Sequence, residues 1–178
     1  MATFVPDSRR YGHPGDTKVP YFIIIHQNMI DKVKIENLVK EFIGKTGLFL
    51  VAVKVSSAGK ITILADKKGG ITVEECVSIS RLIEKNLNRD EEDYELQVSS
   101  PGLDMPFMVI EQYLKNEGKK VEVTDTEGNK ISGLLKNVTE GGFEIVAEVK
   151  VKGKGKEIKE ISFNYDQVKS TREVILFK

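Results

Sequence analysis

The sequence predicts an α+β chain in two parts: a two-layer α-β-β-α-β unit over residues 29–104, then a small all-β barrel with a short leading helix over residues 105–178. Helical periodicity is concentrated in the first part, whereas the second is a series of short β-rich runs separated by glycine-bearing turns. Between them an alternating strand from Tyr94 runs into a turn punctuated by Pro101, Gly102 and Pro106. Pro101 fixes φ and has no N–H to donate, Gly102 permits φ > 0, and Pro106 biases Met105 away from helix.

Residues 1–28 hold both histidines, His13 and His26, with Pro6, Pro14 and Pro20, and show no periodicity of a packed element. They are expected to be a disordered or non-native N-terminal extension, with Met29 as the start; a binding arm is the competing reading. The apolar run Tyr21 to Ile25 is shorter than the roughly 7–15 residues of a secretory hydrophobic region.

From Ile30 to Thr46, Ile35, Leu38, Val39, Phe42 and Ile43 recur at helical spacing, and Gly44 and Gly47 stand where the helix would stop. Leu48–Ser56 and Lys60–Asp66 are β-branched runs around Ser57-Ala58-Gly59, a hairpin pattern. Thr72 and Glu75 have capping-box spacing, opening a second helix whose buried face is expected at Val73, Cys76, Val77, Ser80, Ile83 and Leu87. Tyr94, Leu96 and Val98 then give the third strand one apolar face. After the junction a short helix over 109–116 precedes five strand-like runs at 120–124, 130–138, 143–151, 157–163 and 169–176, whose closure into a barrel would remove exposed edges.

Composition restricts the function. Lys+Arg and Asp+Glu each total 27, and the charge splits as +1, −2 and +1 over residues 1–28, 29–106 and 107–178. Neither part is a polycation, so any RNA contact must come from a local patch. The single Cys76 can form no internal disulfide and no cysteine metal site, which suits a reducing cytoplasm. No run approaches the roughly 20 apolar residues that span a membrane.

Enzymatic chemistry has little support. No histidine lies in residues 29–178, so Ser99 and Ser100 lack the usual base. No cofactor or metal is expected. Gly44-Lys45-Thr46-Gly47 has the letters of an RNA-clamping Gly-x-x-Gly loop, but between a helix and a strand it reads as a helix stop. Gly69-Gly70 lacks the spacing of a nucleotide-binding loop. The candidate RNA contact is Lys150, Lys152, Lys154, Lys156 and Lys159 around a glycine-bearing hairpin, with solvated surface lysines as the plainer alternative. Asp90, Glu91, Glu92 and Asp93 form an acidic stretch suited to steering a basic protein.

Ser99-Ser100-Pro101-Gly102-Leu103-Asp104, followed by Pro106, closely resembles the most recognisable stretch of the bacterial ribosome maturation factor family RimP. The family commonly carries Arg before the second proline and Leu after it; this chain has Met105 and Phe107 there, which removes a cation and leaves the turn. The resemblance covers about residues 29–178. It implies an α/β first domain, an SH3-like or Sm-like barrel, and a non-catalytic, cytoplasmic factor, monomeric when free. Its implied partner is the immature small ribosomal subunit, through ribosomal RNA and a basic small-subunit protein near the decoding region. Ser99 to Asp104 and Pro106 would then set the geometry between the domains. The alternative is a general RNA-binding module built on the small barrel.

Because no core periodicity extends into residues 1–28, deleting them is expected to leave melting temperature and partner binding nearly unchanged. A large fall in either would show that the segment packs or binds.

Overall fold

The computed structural model describes residues 30–88, 93–151 and 155–175. Residues 1–28, Asp90, Glu91, Glu92, Lys152 and Lys154 lie outside them. No helix among the described residues is long and apolar enough to cross a membrane.

The first lobe is built as its sequence pattern requires. Helix α1 (Lys32–Ile43) begins at Asp31, whose carboxylate accepts the N–H groups of Val33 and Lys34, and buries Ile35, Val39 and Ile43. Strands β1 (Phe49–Val55) and β2 (Lys60–Asp66) form the expected hairpin, and helix α2 (Val73–Asn86) follows. Thr72 Oγ1 accepts the Glu75 N–H at 3.3 Å while Glu75 accepts the Thr72 N–H at 2.8 Å, so the capping box forms as read. The Lys67 ammonium, 2.7 Å away, holds the Glu75 carboxyl below its usual range, with the Thr72 N–H adding to the effect.

The buried face of α2 differs from the expected one. Ile79 and Ile83 are fully buried, whereas Val73 is 75% exposed and Val77 is also exposed. Cys76, Ile79, Ile83 and Leu87 make a narrower stripe, which leaves the first turn projecting beyond the core. Burial, with the Glu75 carboxylate beside it, raises the Cys76 thiol's pKa and so disfavours the thiolate.

Strand β3 (Glu95–Ser99) lies parallel to β2, from Lys60↔Glu95 to Leu64↔Ser99. The sheet order is β1-β2-β3, and Ile61, Ile63, Ala65 and Val53 pack against the two helices.

Helix α3 (Ile110–Asn116) leads into β4 (Lys120–Asp125), β5 (Lys130–Lys136), β6 (Gly142–Val151), β7 (Gly155–Asn164), a 3-10 turn (Tyr165–Gln167) and β8 (Val168–Glu173). These five strands form one antiparallel sheet, ordered β7-β6-β5-β4-β8. No ladder joins β7 to β8 among the described residues, so the expected closure into a barrel is not part of the described hydrogen bonding. The core is aromatic: Tyr113 and Phe143 lie with ring centroids 5.0 Å apart, flanked by Phe163 and Tyr165.

Gly59 is the glycine on which the first lobe most depends. It has φ +76°, a Cβ there would lie 2.8 Å from the Asp93 carbonyl oxygen, and its own carbonyl accepts the Glu95 N–H at 3.2 Å. Gly59→Ala is expected to destabilise the first lobe by about 1–3 kcal/mol through backbone strain, with the clash adding to it. Urea unfolding would read this as a lowered midpoint; a wild-type midpoint would show that the β3 entry relaxes freely.

Candidate functional site

The junction is tied into a different lobe at each end. Ser99 is the last residue in register with β2, and the Phe107 N–H donates to the Thr171 carbonyl of β8 at 2.8 Å. The Phe107 ring packs edge-on against Tyr113, centroids 5.0 Å apart. Residues 100–106 form the span between these anchors. Within it the Met105 N–H donates to the Gly102 carbonyl at 3.0 Å, closing a tight turn.

That bond corrects the expected role of Gly102. Its backbone is not in the left-handed region. Gly102 is the first residue of the turn, a position that requires no positive φ. A Cβ there would lie 2.6 Å from the Asp104 carboxylate oxygen, the end of an exposed side chain that can swing away. Ser100 is exposed, Pro101 and Pro106 are half-buried, and Leu103 is 63% exposed at the apex.

Behind the turn, the second lobe holds a polar support that sequence reasoning did not single out. Gln112 is buried, and its side-chain oxygen accepts the N–H groups of Met108 at 2.7 Å and Val109 at 3.3 Å, satisfying donors at the start of α3. The Asn116 side chain donates to the Gln112 carbonyl at 2.8 Å. Tyr113 Oη and Thr171 Oγ1 are hydrogen-bonded at 3.1 Å, both residues buried. Burial raises the Tyr113 phenol's pKa, opposed by the Thr171 bond, so it stays protonated.

Between the lobes lies a cleft of about 240 Å³ lined by Asp66, Ser100, Gly102, Phe107, Lys115 and Glu173, among others. Across it Lys115 Nζ stands 2.5 Å from Asp66 Oδ2. Asp66 and Lys115 are 49 residues apart, and only the helical and strand patterns that place them are visible in the sequence. Phe107 also lines a groove of about 500 Å³ with Met108, Tyr113, Glu140, Tyr165 and Lys169.

The lysine hairpin is brought together only in part. Register pairs Lys150 with Lys156 and Ala147 with Lys159, so Lys156 and Lys159 fall on opposite faces of the β6–β7 ribbon. The Lys156 ammonium is 2.6 Å from Glu148, and Lys159 is exposed. Of the acidic stretch, Asp93 is exposed and its carbonyl lies against Gly59. Among the described residues no cluster of three or more His, Cys, Asp or Glu side chains could hold a metal. Gly44-Lys45-Thr46-Gly47 is a helix stop: Gly44 caps α1, Gly47 has φ +71°, and Thr46 bonds back to the Ile43 carbonyl.

An α+β unit and a separate five-stranded sheet, joined through a tight turn, define a two-lobed α+β protein. The family described as the RimP N-terminal domain matches residues 38–104. Ribosome maturation factor RimP of Christiangramia forsetii is 35% identical over 152 residues, covering 82% of this chain and 99% of that protein. The RimP of Porphyromonas gingivalis is 33% identical over 83% of this chain and all of its own length. That of Flavobacterium psychrophilum is 33% identical over 72% of this chain and 86% of its own. The chain belongs to the ribosome maturation factor RimP family, and is a non-enzymatic factor of ribosome biogenesis.

The Tyr113–Thr171 bond yields a direct test of the support beneath Phe107. Thr171→Val keeps the shape and removes the hydroxyl, so it is expected to destabilise the second lobe by about 1–3 kcal/mol by leaving a buried polar group unpaired. Adding Tyr113→Phe should recover most of that loss in thermal unfolding. Additive losses would show that the two hydroxyls do not act as a pair.

Proposed function

We propose that this chain binds the immature small ribosomal subunit and helps its RNA and proteins reach the mature arrangement, acting in the cytoplasm as a monomer when free. The observation that carries this is the match to maturation factors along nearly their whole length, through the junction and into the second lobe. Binding promotes assembly only where it favours one conformation of the particle over its competitors. A factor with two folded lobes and a fixed turn suits that task, because it can contact two parts of a particle at a set spacing.

The second lobe is proposed to be a small SH3-like barrel. Pairing of its first strand, β4, with its last, β8, supports that reading, since it brings the ends of the lobe together as a closing sheet requires. Ser99 to Asp104 and Pro106 are proposed as the geometric determinants of binding. Asp90, Glu91, Glu92 and Asp93 are proposed to face a basic small-subunit protein, and Lys150, Lys152, Lys154, Lys156 and Lys159 to make accessory RNA contacts. Lys156 must give up Glu148 to reach a phosphate, so its share is the smallest.

Recovery of the tagged protein from growing cells tests the proposal: immature small subunits should be selectively enriched. Equal recovery of unrelated RNAs would favour a general RNA-binding module instead. Replacing Lys150, Lys152, Lys154 and Lys156 with Gln should weaken particle binding and flatten its salt dependence, each lost phosphate contact lowering the logarithmic slope by about 0.7–0.9. An unchanged slope would assign these lysines to ordinary solvated surface.

A further inference from the structure

We infer that Asp66 and Lys115 form a latch that fixes the orientation of the two lobes, which makes them positioning residues for the ribosome-directed surface. The positioning role rests on the proposed function; the latch itself does not. Each lobe has its own apolar core, and no helix or strand of one packs extensively on the other. Among the described residues, Asp66–Lys115 is the ion pair that crosses between them.

Both members of the pair sit on regular secondary structure. Asp66 ends β2, the central strand of its sheet, and is only 6% exposed. Its Oδ1 accepts the Lys67 N–H at 2.8 Å, leaving Oδ2 for the ammonium. Lys115 lies on α3, its side chain 20% exposed, one residue before the buried Asn116 that bonds back to Gln112. The nearby Glu173 is taken by Lys119 at 3.1 Å, so the two cations have separate partners. Because both members sit on ordered elements, their separation reports the angle between the lobes.

Burial gives the latch a direction. A carboxylate in a nearly closed site is stabilised by its cation, and without that cation it is better hydrated than enclosed. Loss of Lys115 should therefore drive the cleft open and not merely loosen it. Removing the carboxylate as well should abolish that drive.

The test places spin labels at exposed Ser78 and Ser132, one per lobe, in the full chain carrying Cys76→Ala, and measures their distance distribution. Lys115→Met should lengthen and broaden it, Lys115→Arg should retain it, and Asp66→Asn with Lys115→Met should shorten it from the Lys115→Met value while leaving it broader than the wild type. Urea unfolding of each lobe should be unchanged by Lys115→Met. A wild-type distribution for Lys115→Met would overturn the latch. In parallel, if the closed orientation falls to about one-tenth of the population, affinity for immature small subunits should fall about tenfold. An open distribution with unaltered particle affinity would overturn the positioning role and leave the latch standing. Failure of the wild-type protein to bind particles would sink the proposed function, and the distance measurement would still decide the latch.

Discussion

Two lobes with separate apolar cores meet across a cleft, and at that cleft a buried carboxylate faces a mostly buried ammonium. Enclosing a carboxylate is unfavourable without a partner, and Asp66 has the Lys115 ammonium on one oxygen and the Lys67 N–H on the other. Apolar contacts tolerate sliding, because their energy depends on area and not on direction. An ion pair at 2.5 Å between ordered elements does not. The relative position of the lobes thus rests on a short-range, directional interaction, whereas the stability of each lobe rests on hydrophobic burial.

The covalent connection complements this arrangement. At one end Ser99 is held in the parallel ladder with β2; at the other Phe107 is bonded to Thr171 and packed on Tyr113. The span from 100 to 106 is constrained by two prolines and by the Gly102–Met105 turn, which limits the directions the second lobe can take. Phe107 is also part of the aromatic cluster with Tyr113, Phe143, Phe163 and Tyr165. A disturbance at the junction therefore reaches the core of the second lobe before it reaches that of the first.

Local features were legible in the sequence, and features joining distant segments were not. The Thr72–Glu75 capping box, the Gly59 hairpin and the short α3 depend on residues a few positions apart, and each formed as read. The α2 face was misread because Val73 and Val77 share the helical period of the true stripe, and only packing against α1 and β3 selects Ile79 over them. The junction was legible as a turn, but Pro-Gly alone does not say which position the glycine takes; the hydrogen bond from Met105 does. Alternation identified the strands of the second lobe without saying whether β7 and β8 meet. Asp66 and Lys115 carry no local mark at all, since a charged residue ending a strand and a lysine on a helix are both ordinary surface features.

With equal numbers of acidic and basic residues, and with Lys67, Lys115, Lys119 and Lys156 each within ion-pair distance of a carboxylate, the surface is not a broad cationic field. Electrostatic attraction to RNA falls steeply with salt and carries no sequence information. A factor of this composition must gain selectivity elsewhere, and a fixed angle between two rigid lobes is a shape that a particle in the wrong conformation cannot match. The free energy that a binder contributes to a conformational equilibrium is only its differential affinity for the two states. Flexible lobes would fit both states and shift neither, so in the proposed role the polar contacts holding the lobes in register matter more than any single cation on the surface.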